Sequence, residues 1–465
     1  MRRVAALSSA ALLAGCTVAG PIYRLPDSAV ARAPGAQAPF VSGNDAAYSL
    51  EPLPDHWWQL YSDPQLNALV DEALGRNADL RVAEANLAQA GALVQEAEAG
   101  RTVTTTISGG GSLSRPESTG ISLPGVVGYD IGISAAYPLD LAGRIRRGIE
   151  AARANAEAAA AARDYVRVAV AAGVTRTYLD ACSANARLAA VDRVLRLQRQ
   201  TLDVTRRLQR GGRGTAFDVT RAQAAVDASL SQRPTIVADR QAALFALAAL
   251  LGRPAGTYPR AVEACAIPPA IDRPLPIGDG AALLRRRPDL REAERRLAAA
   301  TAQIGVETAA LYPQVSLGGS VGLTGPLGDL GSGDAFRLNL GPLISWSFPN
   351  RAVARARIAG AEAGVGAALA AFDSAVLAAL RDTETNLSRY ARQREQVTDL
   401  VRARDTAAQA EAQAAKLYHY GRADFLQLLD AQRSLADSEQ ALANARAAML
   451  DRQVDVFLSL GGGWH

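Results

Sequence analysis

Proline is absent from two very long stretches of this chain, between Pro138 and Pro234 and from Pro349 to the end, and both stretches repeat apolar residues at helical spacing. Arg144 to Arg210 spans 67 residues and Arg351 to Lys416 spans 66. At about 1.5 Å per residue each would reach on the order of 100 Å if continuous, far beyond an ordinary globular helix. Such lengths demand lateral partners along the whole helix. The last arm supplies a seam for them: Leu428, Leu435, Leu442, Met449 and Val456 fall every seven residues, flanked by the small Ala431, Ser438 and Ala445. That is coiled-coil patterning, and it argues against a cofactor site.

The pattern occurs twice. Leu208 to Gln223, LQRGGRGTAFDVTRAQ, has a cousin in Leu417 to Gln432, LYHYGRADFLQLLDAQ, with Gly212-Arg213 and Gly421-Arg422 interrupting the helical pattern as tight turns between antiparallel helices. Asn77-Ala78-Asp79-Leu80-Arg81 recurs as Arg287-Pro288-Asp289-Leu290-Arg291 at an offset of 210, Gly143-Arg144 as Asn350-Arg351 at 207, and the turns themselves at 209. Anchors in one order at nearly one period mark two copies of a structural unit. The first runs over 55–252 with its tip at 208–218, the second over 279–465 with its tip at 417–427. A Pro-rich linker, 253–278, joins them.

Each copy also holds a pair of period-two segments, about 102–114 and 129–141 in the first and about 313–324 and 336–348 in the second. Val315, Leu317, Val321 and Leu323 alternate with Gln314, Ser316, Ser320 and Gly322; Phe336, Leu338, Leu340, Ile344, Trp346 and Phe348 share one face. Strands of about ten residues with one apolar face have the length that a tilted membrane strand requires. No segment offers the roughly 20 uninterrupted apolar residues expected of a spanning helix.

The amino terminus reads as an export signal, 1–15, with Met1-Arg2-Arg3, an apolar run from Val4 to Leu13, and Leu13-Ala14-Gly15-Cys16. That motif resembles the bacterial lipobox, which implies cleavage before Cys16 and a covalent lipid on it; Thr17 rather than Asp after the cysteine implies sorting to the outer membrane. Residues 16–54, rich in Pro, Ala, Gly and Ser, read as a lipidated extended tether. Loss of Arg2 and Arg3 lowers the formal charge from +4 to about +2, so no nucleic-acid partner is implied. Cys182 and Cys265 remain, either as a disulfide in an oxidising compartment or as two buried thiols. Trp57-Trp58 serves either as a ligand platform or, more commonly, to pack the chain start onto the body.

Enzymatic readings find little support. His56, His419 and His465 lack metal-ligand spacing, and Gly211-Gly212-Arg213-Gly214-Thr215 lacks the strand and lysine of a phosphate loop. Neither a cofactor nor a metal site is expected.

Four strands cannot close a membrane barrel, because open edges would leave backbone groups unpaired in hydrocarbon. The chain must therefore associate, and three copies would give twelve strands. Taken with the lipobox, Trp57-Trp58, the two Asp-Leu-Arg motifs, Tyr312-Pro313-Gln314-Val315-Ser316 and Leu429-Asp430-Ala431-Gln432-Arg433, the mature chain resembles the TolC-like outer-membrane efflux proteins, in particular their NodT-type lipoprotein branch. The resemblance implies an α+β membrane protein: a homotrimeric β-barrel in the outer membrane, continued by an α-helical coiled-coil barrel in the periplasm. Its tip would dock a periplasmic adaptor and, through it, an inner-membrane pump exporting drugs or metal ions. Carried over by position, Asp218 and Tyr418 become partners in a gate at the tip, and Asp430 a ring of carboxylates in the pore. The family's arginine partner falls on Ala423, leaving Arg422 as its nearest substitute, and Gln427 replaces a second acid. The turns at Gly212-Arg213 and Gly421-Arg422 become the adaptor-docking points. The competing reading is a periplasmic adaptor or structural coiled-coil lipoprotein, which also carries long hairpins; solvated carboxylates at helix starts are the plainer account of Asp218 and Asp430.

Overall fold

The computed structural model describes residues 18–114, 117–118, 121–122, 125–265, 268–271, 273–346 and 351–462. The signal peptide and Cys16, like Phe348, Asn350 and His465, lie outside them. The chain divides into two compact units, one of residues 1–27, 86–160 and 291–373, the other of 28–85, 161–290 and 374–465.

Besides two four-residue helices, Pro34–Gln37 and Arg260–Glu263, the α-helices among the described residues are α1 (Pro64–Arg76), α2 (Ala78–Ala99), α3 (Arg144–Arg210), α4 (Ala216–Leu230), α5 (Arg233–Leu250), α6 (Gly280–Arg286), α7 (Pro288–Ala309), α8 (Arg351–His419) and α9 (Phe425–Ser459). Within each proline-free run the first helix is unbroken, over 67 residues in α3 and 69 in α8. The return arm of the first copy, by contrast, is interrupted between α4 and α5, where Pro234 lacks the N–H needed to continue the helical ladder. No proline falls in α9, and it stays whole.

The first unit is built on an antiparallel sheet of β1 (Thr104–Ser114), β2 (Val126–Leu139), β3 (Gln314–Pro326) and β4 (Phe336–Ser345), paired in that order. Ile107 faces Ile133 across β1 and β2, Ile133 faces Val321, and Val321 faces Leu338, so one apolar row crosses all four strands. That row is turned outward: Ile107 is 78% exposed and Leu338 69%. Among the described residues β1 and β4 each pair along one edge only. Between β1 and β2 the structure adds a small hairpin, Glu117–Ser118 with Ile121–Ser122. The chain start is pinned to this unit. Arg147, 4% exposed, donates from Nε to the Ala19 carbonyl at 3.0 Å and from Nη2 to the Gly20 carbonyl at 2.9 Å, and the Ala19 N–H reaches the Ala142 carbonyl at 3.0 Å. A Cβ on Gly20 would stand 2.4 Å from the Gly305 Cα, so only glycine fits there.

The second unit holds the main core. Trp57 and Trp58 are buried, with the Trp57 ring stacked 4.6 Å from Phe457 on α9, which makes the tryptophan pair a packing element. Asp63 caps α1, accepting from Gln65 N–H at 2.8 Å and from the Tyr178 hydroxyl at 2.7 Å, with Pro64 pre-set at the first helical position. The break after α1 falls at Asn77, whose side chain accepts from Leu80 N–H at 3.0 Å and donates to the Leu250 carbonyl at 3.0 Å. The matching break, Arg287, is extended because Pro288 follows it. Leu428, Leu435, Leu442 and Val456 are buried along α9, as the seven-residue seam requires.

One sequence expectation needs amending. Residues 28–54 are folded onto the body and not an extended tether: Phe40, Ala47, Tyr48 and Leu53 are buried, and Tyr48–Ser49 pairs in parallel with Leu275–Pro276. Tether composition hid four apolar anchors among alanines and prolines. The linker is likewise structured, since its Leu275–Pro276 forms the other half of that pair and Cys265 is joined to Cys182 of α3, with Cα atoms 5.1 Å apart. An 18-residue window of α8 has a mean hydropathy of 1.8 and is only 17% buried, but Asp373 and Ser374 interrupt its apolar run, so the expectation of no 20-residue apolar span stands. Its apolarity comes largely from alanine, as in Ala363 to Ala371, where Val365 and Leu369 are the larger side chains.

Candidate functional site: twin turns at the helix tips

Both hairpin tips lie in the second unit, and they are built alike. At the end of α3, Gly212 takes φ +72°, its N–H donates to the Gln209 carbonyl at 3.0 Å, and the Arg213 N–H reaches back to Leu208 at 2.8 Å. At the end of α8, Gly421 takes φ +67°, with Gly421 N–H to the Tyr418 carbonyl at 3.0 Å and Arg422 N–H to Leu417 at 2.8 Å. Each is a Schellman closure, in which a left-handed glycine lets the chain turn back and satisfy the last helical carbonyls. Three residues past each glycine stands a cap. Thr215 accepts from Asp218 N–H at 3.1 Å, and Asp424 accepts from Gln427 N–H at 2.8 Å.

This local chemistry decides what Asp218 does. Its carboxylate accepts from the Thr215 N–H at 3.0 Å and hydroxyl at 2.7 Å, completing a reciprocal capping box. Both of these bonds go to Oδ2, and among the described residues no hydrogen bond joins Asp218 to Tyr418. Tyr418 instead sets its ring 6.1 Å from that of Phe425, and its phenol is pushed up by burial, aided by the Asp218 charge and opposed by a hydrogen bond with Thr205. The Asp218 charge thus reaches the Tyr418 phenol. Arg422 is exposed and makes no ion pair among the described residues. Asp430 is exposed too, on a groove between α8 and α9 floored by Ala407, Ala410, Ala431 and Ser434.

Beneath the tips the two hairpins share one apolar cluster. Phe425, at the start of α9, is buried with Leu195 and Leu202 of α3 and Val226 of α4. One layer further in, Gln432 donates from Nε2 to the Thr201 hydroxyl at 2.7 Å and to Glu411 at 3.2 Å, tying α9 to α3 and α8; Gln432 is 5% exposed and Glu411 9%. The Asp218 cap and this buried bridge escaped the sequence reading, although Thr215-x-x-Asp218 and Asp424-x-x-Gln427 are legible capping patterns. Gln432 carried no such mark. The outer surface of the tips is basic and aromatic: Arg206, Arg210, Arg213 and Lys416 are exposed, as are Phe217 at 66% and Tyr420 at 75%.

The internal duplication and the strand–helix–turn plan find a direct counterpart among known proteins. The model of one family, described as outer membrane efflux protein, matches residues 69–253 and again residues 281–462. The chain belongs to that family. Among relatives of this outer membrane efflux protein, Nodulation protein T of Rhizobium leguminosarum bv. trifolii is 29% identical over 98% of this chain and 96% of its own. The toluene efflux pump outer membrane protein TtgC of Pseudomonas putida is 30% identical over 98% and 94%. Of solved structures, the outer-membrane channel OprN superposes with a TM-score of 0.87 at 37% identity, covering 96% of this chain and 99% of its own, and the open state of the Neisseria gonorrhoeae MtrE channel with 0.83 at 26%, covering 96% and 99%. The protein is thus an outer-membrane efflux protein with a channel fold, and relatives such as TtgC bear the names of efflux-pump outer membrane proteins.

Proposed function

We propose that three copies of the chain assemble into one conduit, a twelve-stranded barrel continued by a helical tunnel, that serves as the passive exit duct of a tripartite efflux system. The supporting observation is the sheet of the first unit: four strands, one outward apolar face, and an unpaired edge on each of β1 and β4. In a bilayer such edges must be filled, and the β1 edge of one copy is free to take the β4 edge of the next. Cys16 carries the lipid in this reading, and no other cofactor is needed.

The turns at Gly212-Arg213 and Gly421-Arg422 would meet the periplasmic adaptor, which passes on drugs or metal ions from an inner-membrane pump. Asp218, Tyr418, Arg422 and Asp430 would govern the tunnel mouth, Asp430 as a ring of three carboxylates attracting cations. The relatives bear the names of toluene efflux, antibiotic efflux and pyoverdine export, so a duct of this kind is not bound to one cargo.

Heat-resistant trimers in outer-membrane fractions and single-channel steps in planar bilayers are the expected results for the lipidated product. A monomer in detergent that leaves the bilayer silent would sink the proposal. Asp218→Ala combined with Tyr418→Ala should raise the conductance; unchanged conductance removes both from the gate.

A further inference from the structure

The first unit contains a cavity of about 280 Å³ at the helix-side end of the sheet, which the duct itself does not use. Three arginines line it: Arg144 at the start of α3, and Arg351 and Arg357 in the first two turns of α8. All three are exposed, and none makes an ion pair among the described residues. Asp140, which is not part of the cavity wall, caps the start of α3, accepting from the N–H groups of Ile145 at 3.0 Å and Arg146 at 2.8 Å. Glu307 is the one carboxylate on the cavity wall, and it accepts from Gln303 at 3.0 Å. The cavity therefore carries an excess of two positive charges. Tyr312 and Trp346, each 53% exposed, complete its wall where β3 begins and β4 ends.

Uncompensated guanidiniums clustered in a concave site fit phosphate oxygens, which they can grip through paired N–H donors. Tyrosine and tryptophan at the end of membrane strands settle at the headgroup level. Because the long helices lie on the periplasmic side, this end of the sheet borders the periplasmic leaflet. We propose that the cavity binds the phosphate of an anionic phospholipid headgroup in that leaflet, with Arg144, Arg351 and Arg357 as donors and Trp346 and Tyr312 seating the glycerol and the upper acyl chain. The proposal rests on the reading of the sheet as part of a transmembrane barrel.

Native mass spectrometry of the full-length lipidated protein, released from detergent with added phosphatidylglycerol or phosphatidylcholine, tests it. Phosphatidylglycerol should be retained in preference to phosphatidylcholine, and Arg351→Gln with Arg357→Gln should weaken its retention about tenfold. Arg81→Gln with Arg285→Gln, two exposed arginines of the other unit, should leave it unchanged. Heat resistance of the assembly shows that the variants fold, and conductance reports the channel reading independently. A conducting assembly that holds both lipids equally, or loses phosphatidylglycerol to both variant pairs alike, overturns the site alone. Glycerol phosphate held as firmly as the lipid would overturn the assignment to a headgroup and make the site one for free phosphate esters.

Discussion

Asp180 on α3 and Asp451 on α9 are two carboxyl groups facing one another inside the second unit. Burial pushes Asp180 up to about 7, with Asp451 adding to the effect and Arg176 opposing it; Asp451 is also raised, chiefly by burial. Around them Arg176 pairs with Asp455, Arg452 donates to Asp455 at 3.0 Å, and Asp239 of α5 contributes a further negative charge. A carboxyl that holds its proton more tightly in the folded chain than its ordinary value of 3.8 stabilises the fold at low pH and loses that stabilisation as pH rises from about 4 through about 7. At about 1.4 kcal/mol per tenfold change in proton affinity, the ceiling is roughly 4 kcal/mol. Sharing one proton across the pair and the nearby arginines reduce this, and about 2 kcal/mol is the expected gain for Asp180→Asn at pH 8.5. Thermal loss of the helical circular dichroism signal, followed from pH 5 to pH 8.5, is the assay. The wild-type midpoint should fall by a few degrees across that range, and Asp180→Asn should flatten the dependence while raising the midpoint at the alkaline end. A flat wild-type profile, or a variant that follows the same slope, would refute the shared-proton account.

Other perturbations bear on other parts of the fold. Gly212→Ala and Gly421→Ala add a Cβ that meets nothing within 4 Å, so each should cost only the left-handed backbone term of about 1 kcal/mol, read as a lowered thermal midpoint. Asp424→Ala, which strips the cap from α9, should cost a similar ~1 kcal/mol and increase proteolysis at the second tip. Replacing Cys182 and Cys265 together by alanine releases a separation of 83 residues and should lower stability by about 2–4 kcal/mol in denaturant titration. Gly305→Ala should free the chain start from the first unit, seen as faster protease cleavage between Val18 and Asp27, because its Cβ would stand 2.8 Å from the Ala19 carbonyl oxygen.

The long helices, the strand pairs and the duplication were open to reading because each follows from periodicity: proline is missing where a helix must run, and apolar residues alternate where a sheet turns one face outward. The tips were legible for the same reason, since Gly-Arg steps punctuate an otherwise helical pattern. What lies across the chain was not. Tyr48 pairs with Leu275, and Gln432 bridges Thr201 and Glu411, through contacts that leave no local periodicity. Asp218 has a second, local role that the family pattern does not mark: Thr215, three residues earlier, shares a reciprocal cap with it. The disulfide was one of two open alternatives in the sequence, and what decides between them is the 5.1 Å approach of Cys182 to Cys265, a distance no spacing rule contains.

Two turns of the same hydrogen-bonded geometry close the two halves of each chain. Around a threefold axis such a chain would present a crown of evenly matched studs, twice as many as there are subunits. A ring-shaped partner with that doubled symmetry could then seat every one of its own members in an equivalent way. The studs would share a backbone and differ in side chains, as Thr215 against Asp424 and Asp218 against Gln427 show at corresponding places.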